Sequence, residues 1–358
     1  MRMLVFIKRK MISIMFILFA IFLVIYSNSN LVATRNGLKL WANNVIPSLF
    51  PFFIAVELLV HTNIVYYLSK FLDKLMKPLF NVPGIATFPF VMGLISGYPV
   101  GAKIVSDLYS NGACTKDEAE RMLVFTNNSG PLFILGTVGV AFYSNSTFGI
   151  ILLITHILAS ITVGIIFGKI SKSMNKMQFY QKKSKSDLIF NNTSLSKSNY
   201  SSVLNSDIEL SELGGILGSS IASATKSILM IGGFVTLFSV VISILERSGV
   251  LVLVANTLSS ILHIDSNLLV GTLSGIIEFT NGLSKISQVH LKNISINIIL
   301  SAFVLGFGGI SVTLQVLNIV SKNNLSIKKY LLGKVLQGII AAFYTMMILQ
   351  LPIFNFNL

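Results

Sequence analysis

The stretch LISGYPVGAKIV, Leu94 to Val105, decides how the rest of the chain is read. It lies inside an apolar run, yet it holds two glycines, a proline and a lysine. A nucleotide-binding loop of the form G-x-x-x-x-G-K-[ST] is the first reading to dismiss. Gly97 to Gly101 is one residue too short, an alanine separates Gly101 from Lys103, and Ile104 stands where a magnesium-binding hydroxyl belongs. A G-x-x-x-G packing face would need neither Pro99 nor Lys103. What remains is the tip of a helical hairpin. Gly97, Pro99 and Gly101 break the helix, the freed amides face a polar cavity, and Lys103 places a positive charge near the membrane midplane. Such a charge costs about 2.5–3.5 kcal/mol on insertion scales, which makes it a functional candidate. Snorkelling to the interface is its plainer alternative.

Composition agrees that the solvent is lipid. Of 358 residues 53% are hydrophobic and 11% charged, against roughly 25% charged in soluble domains; the mean hydropathy is +0.78. The net charge of +14 sits in loops between apolar segments, as expected from positive-inside topology and anionic lipid rather than nucleic acid. The single Cys114 excludes an internal disulfide and a cysteine metal cluster, and the four histidines show no ligand spacing. No metal, cofactor or enzymatic activity is expected.

Apolar runs long enough to cross a bilayer fall at about 11–27, 44–61, 122–143, 147–169, 221–245, 294–320 and 330–352. Two more, about 84–105 and 266–290, are broken in the middle and read as re-entrant hairpins. The expected fold is an all-α polytopic membrane protein, with about seven transmembrane helices plus two hairpins arranged as an inverted repeat. Shifting the sequence by 178 positions places Gly93, Ser96 and Gly97 on Gly271, Ser274 and Gly275, and Phe125 and Gly130 on Phe303 and Gly308. The organisation predicted is an N-terminal span (1–36), a first repeat (37–169), a flexible basic cytoplasmic linker (170–212) and a second repeat (213–358). The basic start reads as an uncleaved first span with a cytoplasmic N-terminus, and LPIFNFNL at the other end, without lysine or arginine, as outside. Inverted repeats with helices broken near the midplane are a mark of secondary transporters.

Three further stretches carry candidate chemistry. In FTNNSGPLF, Phe125 to Phe133, the polar run Thr126, Asn127, Asn128 and Ser129 precedes Gly130-Pro131. This predicts a discontinuous helix whose second half starts near Ser129 with bare amides facing the cavity. In LSGIIEFTNGLSKI, Leu273 to Ile286, Ser274, Gly275, Glu278, Thr280 and Asn281 lie in the second hairpin. Glu278 is placed to bind a coupling cation, to carry a proton, or to pair with Lys285. LGFGGIS, Leu305 to Ser311, is the counterpart of FTNNSGP and offers mainly backbone. Glu57 and Asp107 are weaker candidates, and Trp41 reads as an interface anchor.

Taken together, PSLFPFF (Pro47 to Phe53), NVPG (Asn81 to Gly84), SGYPVGAK (Ser96 to Lys103), EAER (Glu118 to Arg121) and FTNNSGPLF resemble the YlbJ, or SpoVV, family of sporulation integral membrane proteins. The resemblance is densest from about 37 to 140 and leaves out the linker. It implies gate-domain, or nucleoside-recognition, architecture similar to that of concentrative nucleoside transporters. It also implies movement of dipicolinic acid across the outer forespore membrane, in support of spore dehydration and cortex formation. The expected site comprises Ser96, Gly97, Tyr98, Gly101 and Lys103 of the first hairpin, residues Thr126 to Ser129, and Ser274, Gly275, Glu278, Thr280 and Asn281. Half-helix N-termini and Lys103 suit a planar dianion. A nucleoside or other small polar solute, and a non-transporting component of a sporulation complex, remain as alternatives. So do a coupling ion, proton or sodium, and a homo-oligomer.

Overall fold

The computed structural model describes residues 2–60, 72, 74–182 and 213–351. Among these every regular element is helical, and the chain is an all-α polytopic membrane protein. Large apolar side chains cover its outside, among them Val24 at 76% exposure and Leu253 at 69%. In water such a surface would be a liability; against lipid tails it is the matching solvent.

The N-terminal region differs from the expectation. α1 (Arg2–Ile25) meets α2 (Ser27–Leu40) at a sharp bend, and α2 runs through a π-helical turn (Trp41–Val45) into α3 (Ile46–Val60). No loop separates the spans expected at 11–27 and 44–61, and nothing breaks at 36/37; the two form one bent pair with an angle of 97°. Asn30 fixes the bend by donating from Nδ2 to the Phe22 and Leu23 carbonyls at 3.1 and 3.3 Å. The polar composition of SNSNLVATRNG hid this helix, whose small residues allow close packing. A Cβ on Gly37 would lie 2.6 Å from Ser239 Oγ on α8 (Leu213–Arg247). Trp41 is no interface anchor: its indole nitrogen donates to the Ile228 carbonyl at 3.0 Å, and its ring fills the space over Gly232. Trp41→Ala is expected to lower stability by about 2 kcal/mol, below the range for a fully buried tryptophan because the ring is half-buried; chemical denaturation in detergent would measure it.

The first hairpin is α4 (Thr87–Ser96) and α5 (Val100–Ser110), joined through Gly97-Tyr98-Pro99. Next come α6 (Lys116–Thr126), an extended break at 127–130, and a π-helical half (Phe133–Phe142). The expected span 122–143 is thus two short helices. α6 starts on a capping box: Thr115 Oγ1 accepts from the Glu118 amide at 3.3 Å, and Glu118 accepts from the Thr115 amide at 2.8 Å. The rest of EAER is structural too. Glu120 accepts from the Ser326 amide at 3.0 Å, and Arg121 binds Asp117, Ser171 and the Asn81 carbonyl.

α7 runs Ser146–Lys182. The stretch read as flexible from residue 170 therefore begins as helix, because KISKSMNKMQFYQK is rich in lysine, methionine and glutamine, which lose little rotamer freedom in a helix. The rest of that segment, 183–212, lies outside the described residues, as do residues 61–71 and 352–358. After α8 and α9 (Val250–Leu262) the earlier order returns: α10 (Ser266–Ile277), α11 (Phe279–Ser287), α12 (Ser295–Phe307), α13 (Gly309–Val320) and α14 (Lys328–Leu349). Moved on by 178, Thr87–Ser96 falls on 265–274, Val100–Ser110 on 278–288 and Lys116–Thr126 on 294–304, each within a few residues of an observed helix. The spans expected at 147–169, 221–245 and 330–352 correspond to helices long and apolar enough to cross a membrane, and 294–320 does so with α12 and α13 taken together across the break at Gly308.

Two buried apolar clusters form the core. One gathers Leu49, Phe53, Phe133, Leu152, Leu283 and Leu305. The other gathers Phe80, Phe90, Val105, Phe125, Val316 and Tyr330. Phe279, at the start of α11, packs against both.

Candidate functional site

Four helix breaks meet between those clusters. Each has a local cause. At the first hairpin tip Gly97 adopts φ +77° and Pro99 lacks an amide proton. At 127–130 the Asn127 backbone is extended, with φ −103° and ψ 95°. At the second hairpin tip Glu278 is extended, with φ −143° and ψ 115°. Between α12 and α13, Gly308 sits at φ +80°.

The contacts between breaks are close. A Cβ on Gly97 would stand 2.8 Å from the Gly130 amide nitrogen, and one on Gly308 2.8 Å from the Tyr98 hydroxyl. Tyr98 Oη donates to the Leu305 carbonyl at 3.4 Å. The Phe279 ring lies 5.0 Å from Phe133 and 5.9 Å from Tyr98, centre to centre. Around this junction is a small open-mouthed cavity, with about 40 Å³ of space open to a water-sized molecule. Its polar lining is Ser96, Ser129, Glu278, Thr280 and Gln315, and its aromatic lining is Phe53, Tyr98, Phe133, Phe234 and Phe279. The Ser96 and Thr280 hydroxyls are buried without a protein partner.

Glu278 is 1% exposed and caps α11. Its carboxylate accepts from the Thr280 amide at 3.1 Å, the Asn281 amide at 2.7 Å and Asn281 Nδ2 at 2.8 Å. Asn281 is held in turn by Ser239 Oγ, which donates to its Oδ1 at 2.9 Å. Lys285 pairs with Glu246 on α8, not with Glu278.

Behind Ser129 lies a second polar group that sequence reasoning missed. Lys334 of α14 is fully buried. Its Nζ donates to the Asn127 carbonyl and to Gln337 Oε1, both at 2.8 Å. Asn127 Nδ2 donates to Tyr330 Oη at 3.1 Å, and Gln337 Nε2 to Asn128 Oδ1 at 3.0 Å. His156 of α7 accepts the Ser129 amide on Nε2 at 3.2 Å, so that amide is not bare toward the cavity, as the half-helix argument had expected.

The predicted residues therefore sort into three groups. Ser96, Gly97, Tyr98, Ser129, Glu278 and Thr280 line the cavity. Gly101, Thr126, Asn127, Asn128, Ser274, Gly275 and Asn281 stand behind it as packing or hydrogen-bonding support. A Cβ on Gly101 would meet the Thr126 carbonyl at 2.0 Å, and one on Gly282 the Gly275 Cα at 2.1 Å. Lys103 belongs to neither group. It is exposed on α5 and stands outside the cavity lining. Asp107 is also exposed, and Glu57 accepts from Ser223 on α8 at 2.6 Å, away from the cavity lining. Gln315, Lys334, Gln337 and His156 take the places that sequence reading left empty.

Comparison with known proteins agrees with this architecture. The Gate family, described as nucleoside recognition, matches residues 42–173, which hold the first hairpin and the first broken helix. No solved structure matches. The sporulation integral membrane protein YlbJ of Bacillus subtilis (strain 168) is 34% identical over 319 residues, covering 88% of this chain and 76% of that protein. An apolar all-helical chain with this motif set and this extent of identity belongs to the YlbJ family of sporulation integral membrane proteins.

Proposed function

We propose that the chain moves a small, planar, polar solute across a bilayer through the cavity between its four helix breaks. The observation that carries this is the cavity's lining: aromatic rings from Tyr98, Phe133 and Phe279 beside hydroxyls of Ser96, Ser129 and Thr280. Rings offer stacking faces to a flat solute while a few polar groups fix its orientation. The two helix sets on either side are the two repeats, in opposite orientation, with the basic linker and the N-terminus in the cytoplasm. Rocking of one set against the other gives alternating access. No catalytic step belongs to this reading. The solute is a small organic anion, dipicolinic acid, moved across the outer forespore membrane; family resemblance supports this choice. The lining adds a condition: its one carboxylate, Glu278, repels a dianion, so entry is accompanied by a proton.

A second reading, a nucleoside or other neutral solute, is favoured by one observation. Among the described residues the lining holds a carboxylate and the carboxamide of Gln315 and no cationic side chain. Uptake of labelled dipicolinate into proteoliposomes, with uridine as competitor, separates the readings. Saturable uptake unaffected by uridine is the expected result. Uptake of uridine alone transfers the assignment to the second reading, and uptake of neither leaves a non-transporting component of a sporulation complex. In the same assay Lys103→Ala is expected to stay within about twofold of wild type, as for exposed substitutions remote from a site. A larger loss would return Lys103 to the transport path.

A further inference from the structure

Lys334 is a buried amine that stands outside the cavity lining. It lies in the middle of an apolar span, and it has no carboxylate within salt-bridge distance among the described residues. Removing one charge from water without an opposite charge is expensive. What surrounds the ammonium is instead a shell of neutral oxygens and ring faces. The Asn127 carbonyl and Gln337 Oε1 accept two of its three protons at 2.8 Å. The Tyr98 ring centre lies 5.1 Å away and that of Tyr330 6.0 Å, within cation–π range for the nearer one and at its limit for the other.

The Asn127 carbonyl is a particular kind of oxygen. It lies just past the C-terminal end of α6, where the helix dipole is negative and a carbonyl has lost its helical partner. Unwound carbonyls of this type hold free coupling ions in transporters with broken helices. Two more buried oxygens at the same break, Asn127 Oδ1 and Thr126 Oγ1, have no partner. Two neutral oxygens, a helix C-terminus and two π faces around one nitrogen are the surroundings that suit a small monovalent cation. Among the described residues it holds none of the carboxylates of a divalent site.

We infer that Lys334 fills a monovalent-cation site with its own ammonium group, as a tethered substitute for a free ion of the ammonium or alkali class. The native protein then needs no such ion at this break, and the charge holds the Asn127 carbonyl, the Tyr98 hairpin tip and α14 together. Removing the side chain while leaving the oxygens creates a vacant site that a free ion can enter. The inference concerns binding, and its test is read without transport, so it stands or falls separately from the proposed function.

The experiment compares wild type, Lys334→Ala and Lys334→Met in detergent, by melting temperature in ammonium, potassium, sodium and choline chloride at one ionic strength. Wild type is expected to melt at the same temperature in all four salts. Lys334→Ala should melt lower in choline and recover by several degrees, saturably, in ammonium or an alkali salt, as ligand binding to the folded state requires. Lys334→Met, which keeps most of the volume without the charge, should show no recovery. Equal melting of Lys334→Ala in all salts overturns the inference. So does failure of that variant to fold even when produced and extracted in ammonium or potassium, since the free ion then does not substitute. A wild-type requirement for sodium or potassium overturns it as well.

Discussion

Gly101→Ala is expected to abolish accumulation of folded protein, and Gly93→Ala to do the same. The two glycines lie on opposite arms of the first hairpin, and both abut the Thr126 carbonyl. An added Cβ would stand 2.0 Å from that oxygen at Gly101 and 1.6 Å from it at Gly93. The obstacle is backbone at the last turn of α6, so no rotamer change relieves it. Overpacking ordinarily costs 1–3 kcal/mol, and a clash with an immovable carbonyl lies above that range, at more than about 3 kcal/mol. The matched control is Gly233→Ala in α8, where nothing lies within 4 Å of the new methyl. That change is expected to stabilise by up to about 1 kcal/mol through helix propensity. Yield of monodisperse protein and its denaturation midpoint measure both. If Gly101→Ala survives as well as Gly233→Ala, the hairpin does not clasp α6 as described.

Glu278→Ala is expected to lower solute uptake roughly 10- to 100-fold, because hydrogen bonds to a charged group contribute about 1.5–3 kcal/mol and each 1.4 kcal/mol is a factor of ten. The side chain both lines the cavity and caps α11. Its loss leaves the Thr280 and Asn281 backbone amides without their acceptor, while Asn281 Nδ2 keeps the Val235 carbonyl, which destabilises the second hairpin tip by about 2 kcal/mol in addition. Glu278→Asp separates the two effects. The shorter chain retains a good helix cap but withdraws the carboxylate from the cavity. An Asp variant that is stable and inactive assigns Glu278 to the solute path; one that is stable and fully active reduces it to a cap.

Three of the four breaks were legible in the sequence because they rest on residues whose backbone chemistry is distinctive: Gly97 and Pro99, Gly130-Pro131, Gly308. So was Glu278, a lone carboxylate in an apolar hairpin. The first helix bend was not, since the polar run from Ser27 has the composition of a loop and is helical only because α8 packs against it. Lys103 misled for a related reason. A lysine's position in the chain says nothing of where its helix face points, and α5 turns that face outward. Lys334 did carry a signal. Tyr330, Lys334 and Gln337 recur at helical spacing in an otherwise apolar span, with Ala341 and Thr345 continuing the same buried face. Polar residues aligned on one stripe of a membrane helix mark its inward side, and this stripe went unread. His156, an acceptor for one amide of a break 27 residues away, had no signature that a single sequence supplies.

Where Gly97 lies on Gly130 and Gly309 on Gly275, main chain rests directly on main chain. A side chain pressed by a bulky guest can swing to another rotamer; a peptide unit in such a crossing has no other place to go. The part of the cavity lined by Gly97 and Gly130 is therefore a fixed mould. Tolerance for differently shaped guests falls to the side chains of the lining, such as Phe53 and Phe234, which have torsions to spend.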